Sequence, residues 1–122
     1  MKKISFIHER QIWLVNLDPT EGIELRKVRP CLVLRKFSPQ HFIILPFTSK
    51  EKHERISFFL EDVPCLPQSQ NYINISQIRT TDKSRFIRKY GEISEAKFAT
   101  IKIKTAEVLK LLPQKAYAHN SS

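Results

Sequence analysis

The sequence predicts a small, strongly curved antiparallel sheet, closed or half-closed like a barrel, followed by one helix. Three observations lead there. Apolar segments up to residue 78 either alternate with period two or form short uninterrupted runs, which is strand patterning. Prolines and turn-forming residues break these segments at short intervals. The one stretch with apolar residues at i, i+3, i+4 and i+7 comes last, behind a serine suited to cap a helix.

Taken in order, QIWLVNL at 11–17 alternates and is rich in aromatic and β-branched residues, and DPTEG then supplies Asp, Pro and Gly for a turn. PCLVLRKF at 30–37 and HFIILPF at 41–47 are apolar runs joined by SPQ, short enough for a hairpin, and both read as core strands. RISFFLE at 55–61 alternates again, VPCLPQSQ interrupts with two prolines, and YINISQI at 72–78 resumes period two. Ser94 is the expected N-cap of a helix over 95–112, Glu95 suits its positive start, and Pro113 stops it. Phe98, Ile101, Thr105, Val108, Leu109 and Leu112 form one apolar stripe that packs on the sheet. Lys97, Lys102, Lys104 and Lys110 fall mostly off the stripe, on the solvated face.

Length and composition bound the class. At 122 residues the chain suits one domain, with a core over about 10–112 and a fraying tail over about 114–122. Hydrophobic residues at 41%, aromatics at 10% and only 2 Gly exclude a disordered or fibrous chain. MKKISFIHERQIW has no apolar h-region before Glu9 and Arg10, and no later stretch approaches the roughly 18 uncharged apolar residues of a membrane span. A cytoplasmic protein, neither exported nor membrane-spanning, is expected. Cys31, inside PCLVL, and Cys65, between two prolines, read as reduced thiols. There is no CxxC, no HExxH and no cluster of His with carboxylates, so neither a metal nor another cofactor is expected. His8, His41, His53 and His119 are scattered and read as surface or partly buried side chains.

Charge is the more telling quantity. Lys and Arg number 21 against 12 Asp and Glu, a formal net charge of +9. That suits a polyanionic partner, and equally a solubility function. RKVRPCLVLRKF at 26–37 gathers five cations around an apolar core. Arg26, Lys27 and Arg29 precede the buried run, and Arg35 and Lys36 follow it.

Three blocks then stand in order: IWLVNLDPTEGIELRKVRPCLVL, ILPFTSK, and SQIRTTDKSRFIRKYGEIS followed by the helix. Together they resemble the MazF/PemK family of toxin endoribonucleases over residues 10 to about 112. The resemblance implies an SH3-like antiparallel barrel with a C-terminal helix, of the MazF/PemK/CcdB type, assembled as a homodimer. It implies sequence-specific, metal-independent cleavage of single-stranded RNA, neutralised by a cognate acidic antitoxin. Residue by residue, the arginine of the family's RP pair corresponds to Arg29 and the threonine at the strand end to Thr48. The expected RNA-binding positions are Arg26, Lys27, Ser49, Ser76, Gln77 and Arg79. A gyrase-poisoning toxin family shares this fold, so a protein target, or an RNA-binding module with little turnover, are the alternative readings.

The chemistry of these residue types agrees. Metal-free RNA cleavage uses the substrate's 2′-hydroxyl as nucleophile, so the site must take its proton, stabilise charge on the phosphoryl oxygens and protonate the leaving oxygen. A guanidinium at Arg29 can clamp two phosphate oxygens, and Pro30 behind it holds its backbone extended. Thr48 can donate a hydroxyl to the same oxygens. Some PemK-like relatives carry a histidine at the position of Ile23 and an acid at that of Ser76. Neither residue here titrates near neutrality, and Glu24 is the candidate general base in their place. Asp82 is expected to hold the shape of its loop. Arg79 either contacts phosphate or forms an ion pair. A cationic groove lined by Trp13, Lys27 and Arg79 suits an acidic antitoxin segment, with Trp13 alternatively in the core. RNA choice is expected to depend on the loops at 20–27, 49–55 and 64–71.

Overall fold

A computed structural model describes residues 6–17, 28–50, 57–61, 63–67, 70–111 and 113. Its strands are β1 (Gln11–Asn16), β2 (Val28–Lys36), β3 (His41–Thr48), β4 (Ser57–Phe59), β5 (Tyr72–Asn74), β6 (Arg79–Asp82) and β7 (Phe86–Glu92), followed by helix α1 (Glu95–Leu109). All ladders among the described residues are antiparallel. The sheet runs β4-β5-β3-β2-β1-β7, and β6 pairs with β3 off that path.

Closure follows from β3 having a different second neighbour at each end. Its first half, His41 to Ile44, pairs with β6, whereas Phe47 and Thr48 pair with β5. The turn Lys83–Arg85 then carries the chain from β6 to β7, and β7 pairs with β1. The circuit β1-β2-β3-β6-β7 therefore returns to β1 as a small barrel. Its interior is Trp13, Val15, Cys31, Val33, Phe42, Ile44 and Phe86, with Ile7 and Leu17 packed in. Phe86 sits at the seam, its ring centroid 5.7 Å from that of Trp13 and 5.1 Å from that of Phe42. The Trp13 indole is completed by a buried hydrogen bond, Nε1 donating to Gln11 Oε1 at 2.8 Å.

The other face of the same strands makes a second core. Ile12, Leu32, Leu45 and Phe47 alternate with the barrel residues and meet Ile73, Ile75, Ile93, Phe98 and Ile101. This is why β1, β2 and β3 read as nearly continuous apolar runs: both of their faces are buried. Helix α1 covers that face with Phe98, Ile101 and Thr105, the expected stripe. Val108 is half-buried and Leu109 lies at the margin, 36% exposed.

Several local expectations hold. Ser94 Oγ accepts from the Lys97 amide at 3.1 Å as the helix N-cap. Ser38 Oγ accepts from the amides of Gln40 and His41 at 3.1 and 3.2 Å, which shapes the SPQ hairpin. Other elements are shorter than the patterns suggest. The helix ends at Leu109 rather than at 112, because Lys110 turns left-handed (φ 54°) and the chain closes a Schellman motif well before Pro113. In it Lys110 N donates to the Glu107 carbonyl at 3.1 Å and Leu111 N to that of Ala106 at 3.0 Å. The period-two segment 72–78 is strand only to Asn74; Ile75–Gln77 is a single 3₁₀ turn that sends the chain into β6.

Gly91 is fixed by contact, since a Cβ there would stand 2.9 Å from Cys65 Cβ and 3.0 Å from its Sγ. Gly91→Ala is therefore expected to cost about 1–3 kcal/mol, read as a lower denaturant midpoint with an unchanged slope. Cys31 is fully buried and Cys65 only partly so. Burial pushes the Cys31 thiol far up, against the opposing pull of Arg79 and then Arg29, and burial also raises Cys65 against a backbone hydrogen bond. Partial alkylation followed by mass mapping is expected to label Cys65 first and Cys31 only at the rate of global unfolding.

Candidate active site

The ladder of β2 with β3 places the two residues singled out by the resemblance. Cys31 opposes Pro46, so the same register carried two positions further brings Arg29 opposite Thr48. On the other side Val15 opposes Arg29. Arg29 thus stands in the same alternating row as Cys31 and Val33 and projects at the rim of the barrel. Pro30 behind it cannot donate to the ladder and keeps Arg29 extended.

Around this pair lies an open cleft of about 400 Å³, lined by Val28, Arg29, Pro30, Phe47, Thr48, Ser49 and Lys50. Three of the expected site residues, Arg29, Thr48 and Ser49, therefore come together. Lys50 joins them, and sequence reasoning passed over it although FTSK puts a cation directly behind two hydroxyls at a strand end. The Lys50 amide donates to Thr48 Oγ1 at 3.2 Å, which uses a lone pair and leaves the hydroxyl proton to point elsewhere. Arg29 is exposed, and the one hydrogen bond of its side chain among the described residues is long, Nη1 to the Val28 carbonyl at 3.4 Å. Among the described residues no carboxylate lines the cleft, which brings together two cations and two hydroxyls. That arrangement receives an anion with at least two oxygens.

Arg79 is committed elsewhere. Its Nη1 donates to the Leu17 carbonyl at 3.0 Å and its Nη2 to Gln77 Oε1 at 3.4 Å, so among the described residues it forms neither an ion pair nor a cleft wall. The charges of both Arg79 and Arg29 nevertheless pull down on the Cys31 thiol against its burial. Ser76 and Gln77 are exposed on the 3₁₀ turn before Arg79, Ser76 Oγ donating to Asn74 Oδ1 at 2.6 Å. Asp82 has the expected loop-shaping role: it accepts from the Ser84 amide at 2.9 Å, and bonds from the Ser84 side chain and backbone hold its carboxyl below the usual carboxylate range.

The structure decides between the two readings of Trp13. Trp13 lines no groove; at 3% exposure it is barrel interior, because its strand neighbours Ile12 and Leu14 take the opposite face. Arg35 and Lys36 fall outside the cleft as the sequence suggested, and both meet Glu9, whose Oε2 accepts from Arg35 Nη1 at 3.3 Å and the Lys36 amide at 3.0 Å. Ile23, Glu24, Arg26 and Lys27 lie outside the described residues, as does Leu112. Among the described residues, no three His, Cys, Asp or Glu side chains converge where they could hold a metal ion, and no helix is long and apolar enough to cross a membrane.

Solved structures share this architecture. An endoribonuclease from a mycobacterial species, in complex with its cognate antitoxin, superposes with a TM-score of 0.69 at 17% identity, covering 88% of this chain and 98% of that one. The Mycobacterium tuberculosis toxin MazF-mt6 gives 0.65 at 14% identity over 83% and 97% of the two chains. Deinococcus radiodurans MazF gives 0.66 at 21% identity over 86% and 97%. At such identities these likenesses concern the fold. No curated protein matches the chain in sequence. A family model does, from residue 8 to residue 109, and by that match the chain belongs to the PemK-like, MazF-like toxins of type II toxin-antitoxin systems.

Proposed function

We propose that this protein is an endoribonuclease toxin that cuts single-stranded RNA at the Arg29–Thr48 cleft by internal transesterification. The observation that carries this reading is the β2–β3 register, which sets a guanidinium against a hydroxyl at the rim of a cleft with Lys50 beside them and no lining acid. The described lining residues offer donors to a phosphate and no carboxylate to a divalent cation, which suits the substrate's own 2′-hydroxyl as the nucleophile.

The 2′-oxygen attacks the adjacent phosphorus, the bond from phosphorus to the 5′-oxygen breaks, and the chain separates into a 2′,3′-cyclic phosphate and a 5′-hydroxyl. Charge grows on the non-bridging oxygens as the new bond forms. Arg29 clamps these oxygens in bidentate fashion and Thr48 donates its free proton to one of them. Ser49 and Lys50 hold the phosphate from the loop side, and the ammonium of Lys50 can give its proton to the departing 5′-oxygen. Glu24, a few residues before Arg29, is the base proposed to take the 2′-proton. Arg26, Lys27, Ser76 and Gln77 extend the RNA-binding surface along the strand, and Arg79 supports it by tying Leu17 to the 3₁₀ turn.

The partners proposed with this activity are an acidic antitoxin segment, complementary to the net charge of +9, and a second copy of the chain. The proposed setting is the cytoplasm, where messenger RNA is accessible.

Single-turnover cleavage of a long single-stranded RNA tests the roles. Arg29→Ala is expected to slow cleavage about 10²- to 10³-fold with an unchanged thermal melt. Arg29→Lys keeps the charge and loses the fork, so it is expected to recover only part of the rate. Thr48→Val, which removes the hydroxyl alone, is expected to cost about 10- to 150-fold. Wild-type cleavage that survives Arg29→Ala would place the chemistry elsewhere, and RNA binding without any fragments would make the protein a binding module.

A further inference from the structure

The row of opposed residues that holds Arg29 and Thr48 continues across two more strands. Thr48 opposes Tyr72 in the β3–β5 ladder, and Tyr72 opposes Phe59 in the β5–β4 ladder. Directly opposed residues project from the same face of a sheet. Their neighbours Phe47, Ile73 and Phe58 project the other way, into the core beneath the helix. Thr48, Tyr72 and Phe59 therefore share the face that leads out of the cleft.

The two rings form a pair, with centroids 5.2 Å apart and planes inclined at 51°. Phe59 is 44% exposed and the Tyr72 side of the pair is half-buried, so the outer ring has a free surface. Strands lie about 4.8 Å apart, which puts Tyr72 about 5 Å and Phe59 about 10 Å along the row from Thr48. That is the reach of a nucleobase from its own phosphate or from the next one. An exposed aromatic pair is costly in water, whereas beside a cationic cleft it supplies the second half of a single-strand binding site: cations track the backbone and rings receive the bases.

We propose that Phe59 and Tyr72 form a stacking ledge for a base of single-stranded RNA whose phosphate lies on Arg29 and Thr48. The inference rests on the RNA-cleaving reading of that cleft. Stacking tolerates any base, so the ledge fixes where the strand lies and leaves sequence choice to the neighbouring loops. Tyr72 and Phe59 are positioning residues for the reaction.

The test uses the full chain and a short RNA that spans a mapped cleavage site and carries 2′-deoxyribose at the cleaved nucleotide, so that binding is read without turnover. Phe59→Ala is expected to weaken binding about 5- to 150-fold. Phe59→Trp is expected to keep the affinity and to show indole emission quenched by RNA, a readout that a merely structural ring would not give. Replacing one nucleotide beside the site by an abasic residue is expected to weaken binding to the wild type and to leave Phe59→Ala unaffected. Phe59→Ala binding within twofold of wild type, or Phe59→Trp emission unmoved by saturating RNA, would overturn the ledge while leaving wild-type cleavage intact. A wild type that neither binds nor cuts RNA would overturn the cleavage reading and the ledge together.

Discussion

Strand β3 is hydrogen-bonded to β2 along its length, to β6 at its start and to β5 at its end, and both barrel and cleft depend on that change of partner. At its start, pairing with β6 curls the sheet until Phe86 meets Trp13 and Phe42. At its end, β6 is gone and the ladder opens toward β5, which leaves Arg29 and Thr48 at a rim with solvent before them. A slip of one residue between β2 and β3 would turn one strand over relative to the other and put Arg29 and Thr48 on opposite faces. With β2 turned, Arg29 would point into the helix-side core, where an unpaired guanidinium costs several kcal/mol. The apolar residues on both faces of β2 and β3 thus hold the polar pair in register.

The electrostatics of the rim follow from the same arrangement. Of Arg29 and Arg79, whose charges both act on Cys31, only Arg29 is left for an incoming anion, because Arg79 is bound to the Leu17 carbonyl and Gln77. Cys31 beneath them stays a neutral thiol, since the desolvation of its buried site outweighs the pull of both guanidiniums. It packs as a small hydrophobe and takes no part in the chemistry. Among the described lining residues the positive charge of the cleft is therefore carried by Arg29 on β2 and Lys50 just beyond the end of β3.

Much of this was legible in the sequence wherever one physical rule acted alone. The runs of β1, β2 and β3 announced strands buried on both faces, and Ser94 announced the start of the helix. Arg29 and Thr48 came from the resemblance of three sequence blocks to the MazF/PemK family, since an arginine before a strand or a threonine at its end does not mark a site by itself. What could not be read depended on tertiary partners. β6 and β7 carry mostly charged and polar residues, with Phe86 alone buried, so no alternation marked them as strands; their ladders to β3 and β1 create them. The early helix end at Lys110 needed a left-handed non-glycine residue that no propensity favours. Trp13 could serve equally as an interior ring or a groove wall until closure of the barrel placed it inside. Lys50 and the pair formed by Phe59 with Tyr72 gained meaning only when pairing put them beside Thr48.

The most direct measurement is the chemical identity of the ends that the purified protein leaves on a long single-stranded RNA in excess EDTA. A cleft of guanidinium, ammonium and hydroxyl that directs the 2′-oxygen onto its own phosphorus leaves a 2′,3′-cyclic phosphate and a 5′-hydroxyl at each cut, with chelator present throughout. Fragments ending in a 3′-hydroxyl and a 5′-phosphate, or cleavage that stops when the chelator is added, would contradict that account.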